Sequence, residues 1–222
     1  GVEPVADVAV LMSEPTAHWY LPDRVHKGFK MPENVRGIGQ ALAELHVPFD
    51  VVLDEDVQQG IDYPVLIMPN VACMSEEQAG AITRFVEGGG SLIATGVTSL
   101  YNENYRVRDD YALADIFGAH HGAESPDIIK KARGRGLSAY LSGTPEDDFY
   151  RSGLPGPLQV IKEALAYALR DDWQVQVDAP STVVINLTRK SGATILHLMN
   201  FETARRVEGI TVTLRKPEGS SL

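Results

Sequence analysis

The stretch from Asp62 to Gly96 constrains the fold more than any other part of the chain. Tyr63-Pro64-Val65-Leu66-Ile67-Met68-Pro69-Asn70 is an apolar run closed by proline and asparagine. Ser75-Glu76-Glu77-Gln78 then has the pattern of a capping box, with Ser75 as N-cap and Gln78 three residues on. Ala79, Ile82, Phe85 and Val86 repeat at helical spacing. Gly88-Gly89-Gly90 stops that helix, and Ser91-Leu92-Ile93-Ala94-Thr95-Gly96 reads as a second buried strand. Strand, helix, strand is the unit of a parallel sheet. Ligands of such sheets sit at the carboxyl ends of the strands. Those ends offer Asn70-Val71-Ala72-Cys73 and Thr95-Gly96-Val97-Thr98, and neither is a catalytic constellation.

The pattern extends in both directions. Val5 to Met12 reads as a strand, followed by a polar, aromatic loop from Ser13 to Met31 that contains Glu14, His18, Trp19 and Tyr20. Pro32-Glu33-Asn34 opens a helix with Val35, Ile38, Ala41, Leu42 and Leu45 on one face. Phe49 to Leu53 is a strand, and Asp54-Glu55-Asp56 reads as an acidic loop. Beyond Gly96 a polar loop runs to Asp110, and Tyr111 to Phe117 reads as a short helix ended by Gly118. Residues 119 to 153 give weaker signals, with short strands near Ile128-Ile129 and Ala139-Tyr140-Leu141. Pro157 to Leu169 is a helix. Near Asp171 the pattern changes to consecutive strands: Gln174 to Val177, Thr182 to Thr188, Ala193 to Met199 and Ile210 to Leu214, with Lys190-Ser191-Gly192 as a hairpin turn. The expected organisation is an α/β unit over 1–170 and a small antiparallel β segment over 171–222, the segment reading as the start of a β-sandwich.

Composition narrows the function classes. The chain has 222 residues, a formal net charge of −10 and one cysteine. The acidic balance argues against nucleic acid and against an anionic membrane surface as partners. One cysteine allows no intrachain disulfide, which fits either the cytoplasm or a secreted protein that uses none. No run approaches the roughly 18 apolar residues of a membrane span, so the chain reads as soluble, its compartment unassigned. It starts at Gly1 and stops just after a strand, so both ends read as cuts from a longer polypeptide.

Several phrases, taken in order, point to a family. They are Val8-Ala9-Val10-Leu11-Met12-Ser13 before an aromatic loop, Gly39-Gln40-Ala41-Leu42 leading to His46-Val47-Pro48-Phe49-Asp50-Val51-Val52, the strand Tyr63 to Asn70, Met74 to Gln78, and Phe85 to Thr95. Together they resemble the β-galactosidase trimerisation domain, of the class I glutamine-amidotransferase-like, flavodoxin-like group. Ala112 to Gly118 and Leu196 to Phe201 are similar to later parts of the same proteins. The resemblance implies a parallel sheet flanked by helices that follows a glycoside-hydrolase barrel in one polypeptide. It also implies no catalytic pair of its own, packing against neighbouring subunits, and a share in shaping the barrel entrance. A barrel needs roughly 200 residues, so hydrolase chemistry would lie outside this chain.

The candidate residues support this reading and two alternatives. Cys73 follows a strand, and as a nucleophile it would make the chain an amidotransferase-like hydrolase. Its neighbours Ala72 and Met74 do not form a glycine-rich elbow, however, and His197 lacks the His-x-Glu pattern. Glu14, His18, Trp19 and Tyr20, together with Asn70, Thr98, Tyr101, Asn102 and Arg106, should line the carboxyl edge. There they would serve a subunit interface or contact carbohydrate, the second reading making the chain a carbohydrate-binding module. Asp54-Glu55-Asp56, Asp147-Asp148 and Asp171-Asp172 read as solvated acidic tips, not as a glycosidase pair. His120-His121 reads as a surface pair, and Lys130 to Arg135 as a solvated loop or an inter-subunit salt-bridge site. No cofactor or metal site is read.

Overall fold

The computed structural model describes residues 2–20 and 32–215. The distal part of the aromatic loop and the run from Pro217 to Leu222 lie outside the described residues. Among the described residues, eleven strands and six helices are ordered as follows: β1 (Glu3–Pro4), β2 (Val8–Met12), α1 (Glu33–Glu44), β3 (Phe49–Leu53), α2 (Asp54–Gln59), β4 (Val65–Met68), α3 (Glu76–Glu87), β5 (Ser91–Thr95), α4 (Ala114–Phe117), β6 (Ile128–Arg133), β7 (Gly136–Leu141), α5 (Pro145–Ser152), α6 (Pro155–Ala168), β8 (Val175–Asp178), β9 (Val183–Lys190), β10 (Ala193–Asn200) and β11 (Thr211–Leu214). A single π-helical turn, Thr16–Tyr20, follows β2.

The main sheet has the order β3-β2-β4-β5-β7-β6. Its strands run parallel except β6, which pairs antiparallel with β7. That exception has a local cause. Only Gly134 and Arg135 separate β6 from β7, and so short a link permits only an antiparallel hairpin. Gly134 takes a φ of +59°, and a Cβ there would lie 2.6 Å from the Glu87 carbonyl oxygen.

Alternation along each strand sorts the core into two layers. Val8, Val10, Val65, Ile67, Ile93, Ala139 and Leu141 pack under α1 and α6. Ala9, Leu11, Leu66, Met68, Leu92, Ala94 and Tyr140 pack under α3 and α4. Covering both faces explains why these strands are continuous apolar runs rather than alternating ones. Burying each of the valine, leucine, isoleucine and methionine side chains is worth roughly 1.5–3 kcal/mol. The capping box forms as the sequence specifies: Gln78 N–H donates to Ser75 Oγ at 3.1 Å, and Ser75 N–H donates to Gln78 Oε1 at 3.0 Å.

Three expectations are corrected. The strand expected over Val5 to Met12 begins only at Val8, and Glu3–Pro4 before it forms a separate strand that pairs with Thr188 and Arg189 of β9. Asp54-Glu55-Asp56 is not a loop but the first turn of α2, where Asp56 Oδ2 accepts the Leu53 N–H at 2.8 Å. Acidic side chains are favoured there by the helix dipole. Asp147-Asp148 likewise sits in the first turn of α5. The β9–β10 turn is as expected, with Ser191 and Gly192 both at positive φ. β1, β9 and β10 form one small sheet, and β8 and β11 form another. Arg215 ties the second to the start of β2, with Nη2 3.2 Å from Asp7 and Nη1 2.9 Å from Asp172.

Two glycines of α1 separate packing from propensity. A Cβ on Gly37 would lie 2.2 Å from the backbone oxygen of Glu146, whereas one on Gly39 would meet only the Phe49 ring at 3.5 Å. Gly37→Ala should therefore push α5 away and cost about 1–3 kcal/mol. Gly39→Ala should gain about 0.5–1 kcal/mol from helix propensity. Urea denaturation of the two variants measures both.

Candidate functional site

In the sheet order, β2 lies between β3 and β4, so the connections diverge to opposite sides at its carboxyl end. That point is where a doubly covered sheet ordinarily opens a crevice to ligand. Here its polar groups are engaged within the chain. Thr16 Oγ1 accepts the Cys73 N–H at 3.0 Å and lies 3.4 Å from the Cys73 carbonyl oxygen. The buried Asn34 amide donates to the Pro69 carbonyl. Asn70 holds a φ of +49°, a conformation asparagine tolerates. Its N–H donates to Thr95 Oγ1 at 2.9 Å, and its Oδ1 accepts the Val97 N–H at 3.0 Å. Thr98 is fully buried. Its hydroxyl donates to the Thr95 carbonyl at 2.7 Å and accepts the Val71 N–H at 3.0 Å. Asn70 and Thr98 thus fix the strand-end turns and leave Thr98 no face toward a ligand.

Cys73 is also fully buried. Burial, with a smaller contribution from Asp54, pushes its thiol up to about 11. Among the described residues no histidine hydrogen-bonds to it. The surroundings thus suppress the thiolate a nucleophile needs.

The outer rim is aromatic. The loop after β5 returns past the β4 end through a bridge between Cys73 and Tyr101, and Asn102 Oδ1 closes its tip by accepting the Asn104 and Arg106 N–H groups at 3.0 and 2.9 Å. Tyr101 and Tyr105 stack with centroids 4.9 Å apart, and Tyr20 of the π turn approaches both, at 5.6 and 6.2 Å. His18 meets Trp19 edge-on at 4.5 Å. Trp19 is 48% exposed and Tyr105 43%. Burial, together with the neighbouring Tyr101 and Tyr105, raises the Tyr20 hydroxyl above the usual tyrosine value. Glu14 and Arg106 are exposed beside this cluster. The structure therefore brings Tyr20, Tyr101, Asn102 and Arg106 to one rim with Glu14, His18 and Trp19, and sets Asn70, Thr98 and Cys73 beneath it.

Other charged candidates resolve into local pairs. Asp54 accepts the Glu14 N–H at 2.7 Å and the Gln78 amide at 2.8 Å, so it pins the aromatic loop to α3 and is not a free acidic tip. His120 Nδ1 lies 2.6 Å from Asp110, which also accepts the Tyr111 and His121 N–H groups and is held below the usual carboxylate range, chiefly by His120. The basic run from Lys130 forms the β6–β7 hairpin rather than a loop, with Lys130 paired to Glu163 and Arg133 to Glu87. Among the described residues no group of three or more His, Cys, Asp or Glu side chains is placed to hold a metal ion, and no helix is long and apolar enough to cross a membrane.

One residue escaped the sequence reading. Glu146, in the first turn of α5, is fully buried. Its Oε1 accepts the Thr95 hydroxyl at 2.6 Å, while Oε2 has no partner. Placed next to two further acids, it carried no signal of burial. Only the α1–α5 packing reveals it.

A family model described as the β-galactosidase trimerisation domain matches residues 6–121. The chain belongs to the β-galactosidase trimerisation domain family. The β-galactosidase GalA of Bacillus licheniformis is 32% identical over 102 residues, which cover 45% of this chain and 15% of that protein. Among solved structures, a β-galactosidase from Rahnella sp. R3 aligns with a TM-score of 0.70 and 16% identity over 90% of this chain and 36% of that one. An α-L-fucosidase isoenzyme from Paenibacillus thiaminolyticus aligns with a TM-score of 0.70 and 18% identity over 98% of this chain and 43% of that one. At these identities the structural likenesses establish the fold alone. The chain spans well under half the length of each protein named. The trimerisation-domain match begins just before β2 and ends just past α4, so it takes in the aromatic rim and Cys73. It stops short of Glu146.

The buried thiol yields a direct expectation. In the native trimerisation domain, Cys73 should react with a thiol-directed reagent at neutral pH roughly a hundredfold or more slowly than free cysteine. Denaturant should restore the normal rate. Rapid native labelling would show an accessible, activated thiol.

Proposed function

We propose that this chain is a non-catalytic assembly module of a β-galactosidase-like glycoside hydrolase, acting in carbohydrate metabolism as part of a homo-oligomer. In this reading residues 1–170 form the assembly unit and 171–222 a small β unit, and a barrel in the same polypeptide supplies the hydrolase chemistry. The observation that carries the proposal is the contrast at the carboxyl edge. The Cys73 thiol is fully buried, and the Asn70, Thr95 and Thr98 groups that could meet a ligand are committed to internal hydrogen bonds. What the edge presents outward is a cluster of half-exposed aromatic side chains.

Such clusters are suited to protein contact. Tyrosine, tryptophan and arginine dominate the energetics of interfaces because they remove large areas from water at low entropic cost. Trp19, Tyr105 and Arg106 supply these residue types on adjoining loops. Family membership supports the same reading, because the name of the family is that of an assembly domain. The rim would then pack on a neighbouring subunit or on a barrel, and Glu14 and His18 would form its polar border.

Light scattering across a concentration series tests the proposal. The expected result is a defined oligomer, a trimer being three times the chain mass of 24.2 kDa. Trp19→Ala and Tyr105→Ser should each weaken association by about tenfold or more, equivalent to about 1.4 kcal/mol. A strict monomer at the highest concentration reached would overturn self-assembly by this chain. Cleavage of an aryl-galactoside by the chain alone at an enzyme-like rate would overturn its non-catalytic character.

A further inference from the structure

We propose that Glu146 is a proton-controlled latch, which holds α5 against α1 and the end of β5 while its carboxyl is neutral and releases α5 when it ionises. This inference is independent of the assembly reading and concerns a residue outside the family match.

The geometry sets up the latch. The Glu146 side chain is wholly removed from water, and one of its oxygens is unpartnered. The other receives the Thr95 hydroxyl, which in turn accepts the Asn70 N–H. The carboxyl therefore joins α5 to the turns that end both β4 and β5. On the α1 side the backbones are in close contact, the Glu146 backbone oxygen occupying the space where Gly37 would carry a Cβ. A neutral carboxylic acid fits this environment. An ionised one places a charge in a fully buried site where the Thr95 hydroxyl and the residue's own backbone N–H do not offset the loss of solvation, which is unfavourable until the group reaches water.

Among the described residues no cation contributes to offsetting that charge. On α5 itself, Asp147 and Asp148 add negative potential. Arg151, at the other end of the same helix, turns outward to Glu33 of α1 at 3.0 Å. Arg36 of α1 lies over the Tyr150 ring at 4.9 Å. Lys162 and Glu163 of α6 are exposed, and Glu163 pairs with Lys130. From the strand ends come Thr95 and Asn70, neither ionisable. Burial dominates, and the carboxyl is pushed up to about 8 from an ordinary 4.5.

The sign of the effect follows by linkage. The closed state binds the proton more tightly than the open state, so closure is favoured fully below the ordinary carboxyl value and is lost as pH rises. The opening equilibrium should increase about tenfold per pH unit between the ordinary value and about 8. Above that both states are ionised, and the dependence should level off.

Backbone amide hydrogen exchange of residues 146–152, corrected for the intrinsic pH dependence of exchange, tests this. The expected result is that steep rise followed by a plateau in the wild type, a flat profile in Glu146→Gln, and no matching rise in Leu92 to Ala94 of β5. Parallel profiles in wild type and variant, or an equal rise in the β5 amides, would overturn the latch. If Glu146→Gln does not fold, the carboxyl 13C titration of the wild type decides. A midpoint near 8 supports the latch, and a midpoint near 4.5 overturns it.

Discussion

The constraint on which the rest of the structure depends is the covering of both faces of one parallel sheet. Once α1 and α6 lie on one side and α3 and α4 on the other, β4 and β5 are buried along their whole length and β2 from Val8 to Leu11. Every polar group at their carboxyl ends must then find a partner inside the protein, because a buried donor or acceptor left alone costs about 1–3 kcal/mol. Asn34, Asn70, Thr95 and Thr98 meet that demand for the turns after β4 and β5. The same residues that make the edge stable make it chemically closed. In an enzyme built on such a sheet, some of these groups would be directed at substrate instead.

What the sequence made legible follows from how local each signal is. The helix start at Ser75, the glycine stop after Glu87 and the Ser191-Gly192 turn depend on neighbours within a few residues, and each forms as read. Continuous apolar runs such as Val65 to Met68 report burial on both faces, which is a tertiary fact expressed locally. Glu3 and Pro4 gave no such signal, because their partners in β9 lie at the far end of the chain. The acidic triplet at Asp54 misled for a related reason: adjacent acids read as a solvated tip, yet a helix N-terminus favours them as well. The carboxyl-edge residues were placed at the right end of the sheet. Periodicity could not show that Thr98 points inward and Tyr105 outward.

Glu146 marks the boundary of that legibility more sharply. Its sequence neighbourhood, Pro145-Glu146-Asp147-Asp148, is what an exposed first turn looks like. Its burial goes with a close approach of α5 to α1 at Gly37, where a Cβ would lie 2.2 Å from the Glu146 backbone oxygen. A glycine in mid-helix and a glutamate more than a hundred residues later are a single packing decision. Neither is interpretable alone: Gly37 would read as a weak point in α1, and Glu146 as a solubilising charge.

The two halves of the carboxyl edge are mechanically linked. Asp54 fixes the start of the aromatic loop through the Glu14 N–H and fixes α3 through Gln78. Thr16 carries the π turn onto the Cys73 backbone, and Cys73 bridges to Tyr101. Tyr20 and Tyr105 therefore hold their mutual geometry through backbone anchors in the buried layer as well as through the ring contacts of the rim itself. A rim anchored this way is positioned by its own chain, and pre-organisation lowers the entropic cost of association. The interior of the edge, chemically closed as it is, thus has a second consequence: it holds exposed aromatic side chains in fixed positions, as an assembly surface requires and a mobile loop would not provide.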